Sequence, residues 1–298
     1  MRIDARSLGY LLAFASAVAG AARYNLAVKA EELGLEYIPF LALSLVVGVF
    51  CSTVHVTVRD GRKGFVPLKG RWRHAFLYGA LMAISTLCHF LALRYLNETV
   101  MTSLSQTSIL LTIALAVWLL GERFTGTEWA ATGVICCGVF LFRPWDGLRL
   151  HGFLVIMAGV WAGALATVGA KRWVQGIPPR TLMLWRNVVA LVVVGAYTAF
   201  LPTPRLSAAT VAAAVGAGIL GPYLHGLFFL QSLERIDAAK ASLTNRIQPA
   251  IVFLLSWWLL NRLPDEKDIL SAALLVAGTV WLALARPTAG GRPGASPR

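Results

Sequence analysis

Carboxylates are scarce in this chain: 14 Asp and Glu stand against 27 Lys and Arg, and charge of either sign makes up only 14% of 298 residues. A water-soluble fold of that length needs more charge to cover its surface. Cysteine is equally sparse. Cys51, Cys88, Cys136 and Cys137 all fall inside apolar runs with no CxxC or Cys/His metal spacing, so packing is their expected role. There is no GxxxxGK[ST] phosphate loop, no HExxH, no GxSxG and no pair of carboxylates in mid-run. An enzyme is therefore not expected, no cofactor is implied, and any uphill work must draw on gradients.

What the chain does have is apolar length. Hydrophobic residues reach 57% and the mean hydropathy is +0.68. A helix crossing a hydrocarbon core about 30 Å thick needs about 20 apolar residues. Candidate spans are Leu8–Leu26, Tyr37–Val58, Ala75–Leu93, Thr99–Leu120, Trp129–Phe142, Gly152–Ala170, Thr181–Leu201, Val211–Leu233, Ala238–Leu260 and Ile269–Ala285. Strand-like alternation is absent, which argues against a barrel. The expected fold class is an all-α membrane protein with ten transmembrane helices. Arg2 and Arg6 before an apolar run ending in Ala21-Ala22 resemble a cleavable signal. Retention of this first span is expected, because its removal would leave an odd number.

The net charge of +13 could suggest nucleic acid, but the basic residues sit in short segments between apolar runs, where they orient a membrane protein instead. Segments on the side of the two termini carry 17 Lys and Arg, and those on the opposite side 7. Both termini are therefore expected in the cytoplasm, with most of the bias coming from Arg59–Arg73.

Shifting the chain by 140 residues aligns Leu93–Leu141 with Leu233–Trp281, placing Trp118-Leu119-Leu120 on Trp258-Leu259-Leu260 and Gly138 on Gly278. The expected organisation is a five-helix repeat at 1–146, a second at 147–288, and a disordered Gly/Pro-rich cytoplasmic tail at 289–298. An odd number of helices per repeat inverts the second half in the membrane. Such a bundle can open alternately to either side around a central site.

Several short motifs carry a family resemblance. Val160-Trp161-Ala162 with Lys171 closing the sixth span, Leu184-Trp185-Arg186, Leu119-Leu120-Gly121-Glu122-Arg123 and Pro249, together with Asn25 and Lys29, resemble the drug/metabolite transporter superfamily, EamA-like branch. Asn261-Arg262 stands where the second repeat of that family often carries Gly-Glu. The resemblance implies a secondary transporter in a bacterial cytoplasmic membrane, with metabolite efflux the commoner direction. Its expected partners are a small-molecule solute and the lipid bilayer, with a homodimer left open and nucleic acid not expected.

An ionisable side chain in a membrane core costs from about 2.5 kcal/mol upward and so marks a candidate site. Arg246 lies in the polar cluster Ser242–Pro249, with Asn245 and Gln248 beside it. Pro249 cannot donate a backbone hydrogen bond and loosens the helix there. Arg186 reads either as a site residue or as an interface anchor. Arg23, with Tyr24, is placed to gate the outer mouth by pairing with Glu31, Glu32 or Glu36, or else to mark the interface. His89 and His225, 136 residues apart, fall within a turn of the repeat and titrate near neutrality. Trp161, Gln106 and Tyr223 are candidate cavity-lining residues. Buried cations without buried anions favour solutes bearing a carboxylate or phosphate. The alternative classes are a receptor or accessory subunit and, less favoured, a membrane-embedded enzyme.

Overall fold

Each apolar run closes its backbone hydrogen bonds internally, as a chain surrounded by hydrocarbon must. In the computed structural model the described residues are 4–65, 71–92, 95–96, 104–105, 107–141, 150–174, 176–204, 206–248, 250–252, 254–255 and 266–285. Gln106, Pro249, Asn261, Arg262 and the tail 289–298 lie outside them. The helices are α1 (Ala5–Glu32), α2 (Tyr37–Asp60, continued by a 3₁₀ turn Gly61–Phe65), α3 (Trp72–Ala92), α4 (Ser108–Leu120), α5 (Gly126–Phe140), α6 (Leu150–Val174) and α7 (Pro179–Thr198). α8 runs from Ala208 to Leu233 with a π-helical stretch Ile219–His225 inside it, α9 opens with Ala238–Asn245, and α10 is Glu266–Leu284.

A helix lies within each of the ten candidate spans, and six of them are long and apolar enough to cross a membrane: α1, α2, α3, α6, α7 and α8. α4 and most of α10 form shorter apolar helices. The boundaries have local causes. Thr125 and Glu128 form a reciprocal capping box at the start of α5, and Ser207 with Thr210 does the same for α8. Pro179 starts α7, where its missing N–H leaves no helical bond unmade. α4 stops at Gly121, whose φ of 66° lies in the left-handed region open to glycine.

In the principal packing pairs α1 lies on α8 and α9, α2 on α7 and α8, α3 on α6 and α7, α4 on α6 and α9, and α5 on α10. Exchanging each of α1–α5 with the helix five places later returns the same set. The α5·α10 contact shows this at atomic scale. A Cβ at Gly138 would meet the Ser271 carbonyl oxygen at 3.1 Å and Leu275 at 3.2 Å, and one at Gly278 would meet the Ala131 carbonyl oxygen at 3.2 Å and Ile135 at 2.6 Å. Residues 140 apart thus trade places across the pair, and Ser271 Oγ donates to the Gly138 carbonyl at 2.6 Å.

Polar bonds between helices gather at the end that carries the termini. Lys171 Nζ donates to the Leu233 and Ile236 carbonyls, 2.6 Å each, closing the C-terminus of α8. Glu122 accepts from the Ala238 and Ala239 N–H groups at 2.6 and 3.1 Å, capping α9 from the first half of the chain. Burial, and then the Asp237 charge, push the Glu122 carboxyl above the usual range. Lys240 pairs with buried Glu128 at 2.7 Å and with Asp237 at 3.0 Å, and Arg180 forks onto Asp60.

Candidate functional site

Three guanidiniums from three helices are linked through two histidines, Arg23 and Arg246 through His89 and Arg23 and Arg186 through His225. Arg23 leaves α1 and lies against Gly221 of the π-helical stretch, with its guanidinium 5.6 Å from the Tyr24 ring centre and 6.0 Å from that of Phe90. Arg186 of α7 is only 7% exposed, lies against Gly226, and acts electrostatically on Tyr78 of α3. The side chain is therefore enclosed by protein. Arg246 follows the first segment of α9, and its Nη2 donates to Ser108 Oγ of α4 at 2.7 Å. A Cβ at Gly221 or Gly226 would occupy the space of Arg23 or Arg186, so glycine at both positions is what lets the guanidiniums approach the α8 backbone.

Two imidazoles join these arginines. His89 interacts electrostatically with Arg246 and Arg23, and His225 with Arg186 and Arg23, which also feel one another. His89 Nδ1 lies 2.6 Å from the Ser85 carbonyl, and His225 Nδ1 lies 2.9 Å from the Ser16 carbonyl. A carbonyl oxygen only accepts, so in each ring Nδ1 carries the hydrogen and Nε2 the lone pair. Ser16 Oγ donates to the His225 carbonyl at 3.0 Å and is 2.9 Å from Nδ1. Phe229 stacks on the His225 ring with centroids 6.5 Å apart. Gln248 enters the same neighbourhood from α9: a Cβ at Gly20 would meet its Nε2 and His225 Nδ1, each at 3.0 Å.

The π-helical stretch that carries Gly221 and His225 follows from Pro222, whose ring cannot donate and breaks the helical ladder. The Pro222 carbonyl is taken by Asn187 Nδ2 of α7 at 3.0 Å, and the same group donates to Ser52 Oγ of α2 at 3.0 Å. α8 is thereby pinned from both neighbours at the turn where it is loosest.

The other expected residues have the following surroundings. Tyr223 points from the π-helical stretch to α2, its hydroxyl 3.0 Å from His55 Nδ1, with the two rings edge to face. Tyr24 is exposed along one side, lies under Arg23, and feels the Arg246 charge. Asn245 is half-buried beside Arg246, and its Oδ1 accepts no hydrogen bond among the described residues. Trp161 is 47% exposed on the α6 stripe Leu154, Ala158, Trp161, Leu165, whereas Gly159 and Gly163 form the face towards His89 and Ser85. Of the carboxylates expected to pair with Arg23, Glu32 pairs with Lys29 at 3.1 Å and Glu31 accepts from the Tyr37 hydroxyl. Ser16, Tyr78, Ser108 and Asn187 escaped the sequence reading; the one signal for Asn187 was its place next to Arg186.

A multi-pass helical bundle with a cationic, histidine-bearing layer between its helices has the architecture of a membrane transporter. The chain belongs to the EamA-like transporter family, whose model matches residues 7–143 and 150–284. It is 24% identical over 174 residues to an uncharacterized transporter, YdfC, of Bacillus subtilis (strain 168). That match spans 54% of this chain and 54% of the relative, so the chain covers about half the length of its curated relative. A crystal structure shares the fold with a TM-score of 0.78 at 16% identity, over 92% of this chain and 95% of the other.

Proposed function

We propose that the protein is a ten-span secondary carrier of small anionic or zwitterionic metabolites that binds the solute's carboxylate or phosphate in the Arg23–Arg186–Arg246 layer. The observation that carries this reading is that three guanidiniums from α1, α7 and α9 surround the same pair of imidazoles, Arg23 and Arg186 acting on His225 and Arg23 and Arg246 on His89. Planar donor forks match oxyanions, and a guanidinium at membrane depth is kept only where it has work to do. Asn245 ends the first segment of α9 and Gln248 follows three residues later, and on this reading they supply neutral polar contacts to the rest of the solute.

The packing scheme that is unchanged by exchanging helices five places apart, the reciprocal α5·α10 contact and the two family-matched segments support an inverted repeat. On this reading the halves rock about the layer, opening it to each side in turn. The charge bias supports cytoplasmic termini in a bacterial inner membrane, and the family resemblance supports export.

A thermal-shift panel of succinate, glutamate, inorganic phosphate and, as a cationic control, putrescine tests this on the purified protein. Stabilisation by one or more of the anions, lost in Arg246→Ala while the unliganded melting temperature is kept, is the expected result. Stabilisation by putrescine alone, or equal anion binding by Arg246→Ala, would overturn the site. Binding without flux in proteoliposomes would favour a receptor.

A further inference from the structure

His225 is held in a way that the binding of an anion alone does not require. Its Nδ1–H is committed to the Ser16 carbonyl, with the Ser16 hydroxyl also within reach of Nδ1, so turning the ring over would break both of these Nδ1 contacts. The only site left for a proton on this imidazole is Nε2. The charged groups that act on the ring are Arg23 from α1 and Arg186 from α7. From α9 it meets the neutral Gln248, from its own helix Phe229, and from α1 also Ser16 and Gly20. No carboxylate acts on it among the described residues.

We propose that His225 takes up a proton at Nε2 when an anionic solute binds, so that the protein carries anion and proton together. This rests on the anion-site reading above. An anion seated on Arg23 and Arg186 adds negative charge beside an imidazole that had only positive charge beside it, and an imidazole next to an anion holds its proton more firmly. The two equilibria are therefore linked: the anion tightens the proton, and by reciprocity the proton tightens the anion. The proton comes from water on the side that the layer faces, rests on Nε2 while the layer is closed to both sides, and returns to water with the solute. Serine-locked Nδ1–H on one edge and arginines acting on the ring make His225 a proton carrier tied to the solute site.

The experiment is titration calorimetry of the full-length protein in detergent with succinate, and with sulfate as a second probe, both fully ionised above pH 7. Each is measured in two buffers of different ionisation enthalpy. The expected result is net proton uptake on anion binding, with affinity rising as the pH falls from 8 to 6. His225→Gln should bind the anion with no proton uptake and a flat pH profile. Wild-type binding without proton uptake overturns the proposal and leaves the anion site standing, as does uptake that persists in a folded His225→Gln. Failure of both anions to bind at any pH removes the anion site and the proposal with it. The wild-type proton count alone decides the matter if the variant does not fold.

Discussion

Arg246 and Arg23 test the site one side chain at a time. Lysine at 246 keeps the charge and loses the planar fork, so Arg246→Lys should weaken anion binding roughly tenfold by equilibrium titration while the protein stays folded. Unchanged affinity would mean that only charge is read. Gly221→Ala places a methyl group where the Arg23 chain runs, with no backbone strain of its own, and should weaken anion binding with little change in unliganded melting temperature. Unaltered binding would remove Arg23 from the site. The arginines and histidines of the layer were legible in the sequence because each is an ionisable residue inside an apolar run. Ser16, Tyr78, Ser108 and Asn187 were not, since serine and tyrosine are ordinary in such runs and their roles depend on which helix face meets which. Trp161 shows the converse: its motif singled it out, and its register turns it to the exposed stripe of α6.

At the scale of elements, helix ends and helix contacts carry the information. Glu122 caps α9 from a buried position that disfavours its charge, and the two effects separate by substitution. Glu122→Ala removes the cap and should cost about 1 kcal/mol. Glu122→Gln keeps an acceptor and removes the disfavoured charge, so its melting temperature at pH 7 should be at or above that of wild type; a loss equal to that of alanine would show that the charge itself holds α9. Because the carboxyl sits above its unfolded value, its ionisation opposes folding as the pH rises through that range. Replacing it with glutamine should therefore help more at pH 7 than at pH 4. Gly138→Leu and Gly278→Leu occupy mirrored places in the α5·α10 contact and should lower the melting temperature by similar amounts. A cost at one position only would break the pseudo-symmetry. Span positions were readable from hydropathy, and the capped ends could be traced to Thr125, Ser207 and Gly121. The π-helical stretch was not readable, because Pro222 announces a disturbance without saying that α7 and α2 will hold it.

For the whole molecule, the proposed repeat and the proposed orientation rest on different physics. The repeat rests on packing that survives the exchange of helices, and the orientation on where lysine and arginine fall. The 140-residue register chosen from span lengths and a few identities is the one in which Gly138 and Gly278 trade contacts. On the proposed reading the two halves are inverted relative to one another and the arginines bind the solute between them. The most direct test of that description is flux: proteoliposomes loaded with each anion of the panel, challenged with the labelled anion outside, for wild type and Arg246→Ala reconstituted at equal density. Saturable uptake by wild type that falls to the protein-free background in Arg246→Ala is the predicted result. Equal uptake by both proteins, or uptake of putrescine in place of any anion, would contradict it.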